Sequence, residues 1–121
     1  MGKTAKTIAI ANRKGGVGKT QTTVNLSAGL ARQGKRVLCI DTDSQHSLTV
    51  SLGITAPDKL TETLATAMFH IINEQVFDPK AGIIHHSEGV DLLPANNALA
   101  ALEISLAGLI GRESVLRQYI E

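Results

Sequence analysis

The stretch that decides the fold is Lys14-Gly15-Gly16-Val17-Gly18-Lys19-Thr20, in which three glycines are followed by a lysine and a threonine. An apolar segment, residues 7–11, precedes it, and a helix-patterned segment, residues 21–32, follows it. A strand, a glycine-rich turn and a helix in this order form the setting of a phosphate-binding loop. Glycine allows backbone conformations that other residues resist, and it lets the main chain approach a ligand closely. The stretch therefore predicts a nucleotide site.

The binding groups of such a loop are main-chain amides, a lysine and a hydroxyl. Consecutive N–H groups converge on an anion, and the positive end of the helix that begins near Gly18 points at the same place. We expect Lys19 at the β and γ phosphates and the Thr20 hydroxyl at Mg²⁺. The predicted cofactor-binding residues are Lys14, Gly15, Gly16, Val17, Gly18, Lys19, Thr20 and Gln21.

The loop departs from the usual pattern Gly-x4-Gly-Lys-Ser/Thr at its first position. That pattern requires glycine at position 13, where this chain has Arg13, and a second lysine, Lys14, opens the loop instead. One lysine is enough to meet the phosphates within a single subunit. Lys14 is therefore solvated, paired within the chain, or directed at another molecule.

The segments around the loop predict a βαβ unit. Residues 7–12 are expected to form a buried strand and residues 18–33 a helix, which Gly34 ends in a left-handed conformation. The apolar run 37–40 is typical of a parallel strand that is buried on both faces. Ligands bind at the carboxyl ends of the strands in such sheets, so the loop and the acidic residues after residue 40 should meet at one edge.

Two aspartates, Asp41 and Asp43, follow the second predicted strand. A carboxylate near a nucleotide-bound Mg²⁺ can hold one of the metal's water molecules, and by its position Asp41 is the candidate for this role. Asp43 or Ser44 could instead cap a short helix predicted over residues 45–52, which is a common use of both residue types.

The second half of the chain shows fewer chemical signals. Residues 53–61 are predicted to form a loop, and Thr61 is a possible N-cap for a helix over residues 62–74. Two segments, 83–86 and 90–93, flank a turn and predict a hairpin or two short strands. Asn96 and Asn97 are expected to cap a helix over residues 98–109, and another helix is expected over residues 113–121. Leucines at helical spacing in the first of these helices favour the core: Leu99, Leu102, Leu106 and Leu109.

Histidine and cysteine usage gives no metal site. His85 and His86 are neighbours on a predicted strand, so their side chains point to opposite faces. No third ligand stands nearby at the spacing of a metal site, and an edge-strand position explains both residues. The lone cysteine, Cys39, cannot form a disulfide framework within one chain, which fits a reducing, cytoplasmic setting.

Length and composition predict one modest domain. The chain has 121 residues, 43% of them apolar, and a formal net charge of +1. This charge balance neither requires nor excludes a polyanionic partner. No secretory signal and no apolar run of about 20 residues are present, so no membrane partner is expected.

These motifs resemble the ParA/MinD family of ATPases with a deviant phosphate loop. The resemblance is carried by the segment Asn12–Thr20, by residues 24–28 and by residues 37–45, in which Asp-x-Asp-x-Gln is typical of the ParA (Soj-like) partitioning branch. A weaker likeness covers residues 90–96. Three residues differ from the usual ParA pattern, where glutamine, proline and a small residue are common: Arg13, Ser44 and His46.

The resemblance implies a fold and a catalytic set. The fold class is α/β, a P-loop NTPase-like doubly wound, mostly parallel sheet, with residues 1–121 forming the N-terminal part of a single ATPase domain. The cofactors are ATP and Mg²⁺, with Thr20 and Asp41 at the metal. Asp43 orients or deprotonates the attacking water, and Lys14 reaches the phosphates of a partner subunit.

The resemblance also implies partners. Proteins of this branch form ATP-dependent homodimers in the cytoplasm, bind non-specific DNA of the nucleoid, and are stimulated by a ParB-like centromere-binding protein. The family continues after this region into a Walker B strand, which lies beside the strand expected at residues 7–12. We therefore expect this chain to be the N-terminal part of a longer protein, and to be inactive in hydrolysis by itself.

Two other functions are compatible with the sequence. A MinD-like regulator of the cell-division site would need a C-terminal amphipathic helix. A truncated nucleotide-binding module would keep the loop without turnover. The iron–sulfur relatives are disfavoured because a cluster shared across a dimer needs more than Cys39 from each subunit.

Overall fold

The computed structural model describes residues 6–10, 17–43, 45–86, 89–106 and 119–120. Helices and strands alternate through most of these residues. In chain order they are α1 (Val17–Arg32), β1 (Val37–Ile40), α2 (Ser47–Ser51), a 3₁₀ turn (Pro57–Lys59), α3 (Leu64–Ile72), β2 (Ile84–His85), β3 (Val90–Leu93) and α4 (Ala98–Leu106).

The described strands form one mixed sheet with the order β1-β3-β2. β1 and β3 are parallel, with Val37 opposite Val90 and Ile40 opposite Leu93. β2 and β3 are antiparallel and form the predicted hairpin. The main-chain N–H of Asp41 also donates to the carbonyl of Leu93 (3.1 Å), so the parallel register continues to the first residue after β1.

The core lies on the two faces of this sheet. Successive residues of a strand point to opposite faces, and Leu92 and Leu93 accordingly belong to different buried clusters. On one face Leu92 packs with residues of β1, β3 and α2 and with the C-cap of α2: Cys39, Val90, Leu48 and Leu52. On the other face Leu93 packs with residues of α3, α4 and the loop before α4: Leu64, Ala65, Met68, Ala95 and Leu99. The architecture confirms the predicted α/β class.

The end of α1 follows the prediction. Gly34 has a φ of +84°, its N–H donates to the carbonyl of Ala31 (3.0 Å), and the N–H of Lys35 donates to the carbonyl of Leu30 (3.2 Å). This is a Schellman motif, which satisfies carbonyls that the helix leaves free and turns the chain into β1. Because a left-handed residue is required, glycine is the favoured residue at this position.

The prediction of a buried strand at residues 7–12 is wrong for the described part of that segment. Residues 6–10 belong to no strand, and the side chain of Ile8 is 61% exposed. An extended apolar run becomes a strand only when a neighbouring strand supplies its hydrogen-bond partners, and none of the three described strands pairs with residues 6–10. Residues 11 and 12 lie outside the described residues.

Two predicted helix caps have different outcomes. α3 is capped by Thr63 rather than Thr61, because Thr66 in the first turn reaches back and accepts a hydrogen bond from the Thr63 N–H (3.1 Å). Asn96 caps α4 as predicted, its side-chain oxygen accepting from the Ala98 N–H (3.1 Å). Leu99 is buried and Leu102 packs against the same cluster. Most of the helix predicted at 113–121, and the side chains of Leu106 and Leu109, lie outside the described residues.

The residue before α2, His46, is strained. Its φ of +50° is left-handed, and its buried Nδ1 has no hydrogen-bond partner among the residues that the structure describes. A side chain in this conformation costs roughly 1–2 kcal/mol relative to glycine.

We predict that His46→Gly stabilises the fold. Relief of the left-handed conformation and of the unpaired Nδ1 outweighs the flexibility that glycine adds to the unfolded chain, giving a gain of about 1 kcal/mol in the free energy of unfolding. Urea denaturation followed by circular dichroism measures it. Glu74, with a φ of +53°, is the matched control, because it is exposed and Glu74→Gly relieves only the backbone. A His46→Gly chain no more stable than wild type would contradict the account of strain.

Candidate phosphate-binding site

The site is built at the N-terminus of α1. The helix begins at Val17, so the main-chain N–H groups of its first turn have no carbonyl partner within the helix. Gly18 is exposed, and a β-carbon built on it would meet no atom of the described residues within 4 Å. The sequence predicted a helix start near Gly18, which the structure confirms. Lys14, Gly15 and Gly16 lie outside the described residues, and their roles stay predictions.

The end of β1 meets this helix N-terminus. Lys19 Nζ lies 4.0 Å from Asp43 Oδ2, with the two side chains 28% and 37% exposed. The predicted convergence of the loop and the acidic segment at one edge is therefore observed for this pair. A partly exposed ion pair contributes little to stability, because water screens it. Its interest is chemical: a lysine and a carboxylate are held together where the sequence predicts phosphates.

Asp43 uses its two oxygens differently. Oδ1 accepts the N–H of Gln45 (2.9 Å), which is a local turn contact, and Oδ2 faces Lys19. The alternative role as N-cap of the short helix is wrong, since α2 begins at Ser47 and its N-cap is His46. Ser44, the other capping candidate, lies outside the described residues. Asp43 thus presents one carboxylate oxygen towards the lysine.

The carboxylate of Asp41 is buried and hydrogen-bonded. The residue is 3% exposed, and its carboxylate accepts three hydrogen bonds. Oδ1 accepts the Asp43 N–H (3.1 Å), and Oδ2 accepts the Thr49 N–H (3.0 Å) and the Thr49 hydroxyl (2.7 Å). A carboxylate has about four acceptor positions, so these three leave room for a donor such as a water molecule.

The hydroxyl residue predicted at the metal, Thr20, lies half-buried in the first turn of α1, and Gln21 is exposed beside it. In the next turn of α1, the Thr23 hydroxyl donates a hydrogen bond to the carbonyl of Lys19 (2.9 Å). The metal role of Thr20 and the nucleotide role of Gln21 stay predictions.

Sequence reasoning missed Thr49. It lies in α2, is fully buried, and bonds Asp41 through both its N–H and its hydroxyl. One signal was present in the sequence: Thr49 is a polar residue that helical spacing places near the apolar residues Leu48 and Leu52. Spacing alone does not reveal that its partner is Asp41, eight residues earlier.

A cleft of about 270 Å³ lies beside the middle of α1, and Lys19 is not among its lining residues. Cys39 lines it, and its Sγ lies 2.9 Å from the Ser27 hydroxyl. Burial raises the pKa of the Cys39 thiol, an effect that the hydrogen bond with Ser27 partly opposes. A thiol of raised pKa is a poor nucleophile, so Cys39 is a core residue here.

His85 and His86 lie at the edge of the sheet, within and directly after β2. His85 lies exposed on the edge strand β2, and its ring nitrogen Nδ1 hydrogen-bonds the Asp91 carboxylate across the hairpin. Within the residues that the structure describes, no group of three or more metal-ligating side chains is found. The same part of the chain contains no helix with the length and apolar character needed to cross a membrane.

Comparison with known proteins assigns the family. The family model described as an AAA domain matches residues 5–121 of this chain, which therefore belongs to that family. The chromosome-partitioning ATPase Soj of Thermus thermophilus is 43% identical over 101 residues, which cover 84% of this chain and 36% of Soj. The match confirms the resemblance to the ParA family in its N-terminal part.

Solved structures agree in fold. Cobyrinic acid a,c-diamide synthase from Mycobacterium smegmatis, solved with an ATP analogue and magnesium, superposes with a TM-score of 0.81 at 41% identity, over 91% of this chain and 43% of the synthase. A Cyanothece McdA variant in complex with ATP superposes with a TM-score of 0.80 at 28% identity, over 99% of this chain and 44% of McdA. The chain thus spans less than half the length of each of these proteins.

Proposed function

We propose that this chain is the nucleotide-binding part of a ParA-type ATPase that acts in the partitioning of a plasmid or chromosome. The observation that carries the proposal is the position of Lys19, which opens α1 and lies 4.0 Å from Asp43 at the end of β1. The similarity to Soj supports the partitioning role. The synthase and McdA share this region and were both solved with ATP or an ATP analogue, so we take nucleotide binding as the property common to the region. The cargo would then be determined by other parts of the full-length protein.

The residues present fit ATP and Mg²⁺. The first-turn amides of α1 and Lys19 supply positive charge for a polyphosphate, and open space above Gly18 lets phosphate approach the backbone. Thr20 is the hydroxyl that would coordinate the metal, and the remaining acceptor position of Asp41 would hold a metal-bound water. When bound, Mg²⁺ supplies charge neutralisation for phosphoryl transfer.

Asp43 fits the role of positioning the attacking water. Its free oxygen faces Lys19, the residue expected at the β and γ phosphates, and its other oxygen is held by the Gln45 N–H. Phosphoryl transfer needs mainly positioning and charge neutralisation from the protein, and a fixed carboxylate supplies the first of these.

The wider activity follows from the similarity to ParA proteins. Lys14 would reach the phosphates of a second subunit in an ATP-dependent homodimer, and that dimer would bind non-specific DNA in the cytoplasm, on the nucleoid. A ParB-like centromere-binding protein would stimulate hydrolysis. These steps belong to a protein of the relatives' full length.

The direct test of the site is Lys19→Ala. Removing a cation that bonds two phosphates should weaken ATP·Mg²⁺ binding by at least about 100-fold. Isothermal titration calorimetry on the 121-residue chain measures this. Lys35→Ala, which removes an exposed lysine just after α1, is the control and should bind as wild type does. Equal affinities for Lys19→Ala and wild type would overturn the assignment of the loop.

Gly18→Ala separates ligand approach from fold stability. A methyl group at Gly18 meets no atom of the described residues within 4 Å, and alanine is the better helix former, so the variant should be at least as stable as wild type. The same methyl group would obstruct a phosphate that contacts the backbone, so we expect ATP binding weaker by about tenfold or more.

Gly29→Ala is the matched control for Gly18→Ala. Gly29 lies in the same helix, is exposed, and also has open space at its β-carbon. It should gain comparable stability with unchanged affinity, as measured by thermal denaturation and calorimetry on both variants. Loss of affinity in both variants, or in neither, would contradict close approach of phosphate at Gly18.

Asp43→Asn should bind ATP at least as tightly as wild type. The substitution frees Lys19 and removes a negative charge near the expected γ phosphate, and two charges about 4 Å apart in water interact by ~1 kcal/mol, or roughly fivefold in affinity. The effect should be smaller for ADP, which lacks that phosphate. In any form of the protein that hydrolyses ATP, phosphate release should fall at least tenfold. Normal turnover would remove Asp43 from the catalytic set.

A further inference from the structure

We propose that Thr49 is a positioning residue for the phosphate site, acting through Asp41 on Asp43. This inference rests on the function proposed above. The starting observation is that a polar side chain with no exposed surface lies on α2, outside the loop motif, and uses its hydroxyl in two hydrogen bonds.

The first hydrogen bond of the Thr49 hydroxyl connects it to Asp41, at the candidate phosphate site. The Thr49 hydroxyl donates to Asp41 Oδ2 (2.7 Å), and the Thr49 N–H donates to the same oxygen (3.0 Å). The other oxygen of Asp41 accepts the N–H of Asp43 (3.1 Å). Thr49 therefore fixes the carboxylate that closes the turn 41–43, and that turn carries the Asp43 side chain towards Lys19.

The second hydrogen bond of the Thr49 hydroxyl connects it to Ala95, in the core. The Thr49 hydroxyl oxygen accepts the N–H of Ala95 (2.9 Å), which is fully buried after β3. The hydroxyl thus uses its single proton on Asp41 and a lone pair on Ala95. The turn after β1 is held against the turn after β3 at the same end of the parallel pair.

Few residues can make both bonds from this position. Valine matches threonine in shape but has neither the donor nor the acceptor, and serine keeps both while losing one methyl group. Without the hydroxyl, Asp41 keeps the N–H of residue 49 but loses its second donor on Oδ2, and the buried Ala95 N–H loses its acceptor, so the turn 41–43 is held less firmly. The expected consequence is a displaced Asp43, not only a less stable fold.

The test measures the ratio of ADP·Mg²⁺ to ATP·Mg²⁺ dissociation constants by calorimetry on the 121-residue chain. Asp43 is near the expected γ phosphate, so freeing it should change ATP affinity more than ADP affinity. We expect Thr49→Val to raise the ratio by about threefold, in the same direction as Asp43→Asn and by less than full removal of the charge gives for ATP. Thr49→Ser should stay within about twofold of wild type. Should Thr49→Val not fold, Thr49→Cys takes its place with the same direction expected, because a thiol is a weaker donor.

Two controls separate positioning from loss of stability. Thr63→Val removes a buried threonine hydroxyl at the start of α3, distant in sequence from the site, and should lower the melting temperature without changing the ratio. In a double-mutant cycle, Thr49→Val should have no further effect on the ratio when Asp43 is already asparagine.

The outcomes are distinct. An unchanged ratio in Thr49→Val, an equal change in Thr63→Val, or a full additional change in the Asp43→Asn background would each overturn the positioning role. If Lys19→Ala abolishes ATP binding and the Thr49 series shows no change in the ratio, only this inference fails. If Lys19→Ala binds ATP as wild type does, the proposed function itself fails.

Discussion

The meeting of a helix N-terminus with the end of a neighbouring strand is the constraint on which this structure depends. α1 begins at Val17 and presents Lys19 to Asp43, three residues beyond the end of β1. The positive end of a helix favours an anion, and a cation at the same place adds to that preference. A carboxylate there is unfavourable for phosphate binding by itself, which is why we propose a catalytic role for Asp43 and not a role in affinity.

The rest of the fold holds this meeting point in place. The Schellman motif at Gly34 returns the chain from α1 into β1, and the parallel register of β1 with β3 aligns their carboxyl ends. Asp41 and Thr49 then join the two turns that follow these strands. Buried side chains on both faces of the sheet supply the packing against which these polar contacts are fixed.

Much of this was predictable from sequence, because the signals are local. The helix from Gly18, its end at Gly34, the strand at 37–40 and the hairpin each follow from spacing and turn residues. The strand at residues 7–12 was wrongly predicted because pairing depends on a neighbour, which an apolar run does not reveal. The sequence did not reveal the role of Thr49, because that role depends on a contact with Asp41. It did not reveal the strain at His46, because residue type does not fix the backbone angle there.

The central claim is that a polyphosphate binds at the first turn of α1 facing Asp43. Its most direct test is a titration of the ¹⁵N-labelled chain with ATP·Mg²⁺, followed residue by residue through main-chain amide signals. The account predicts the largest shifts at Gly18, Lys19 and Thr20, a clear shift at Asp43, and little change at Gly29 in the same helix. Shifts confined to residues distant from Gly18, or no shift at saturating nucleotide, would contradict it.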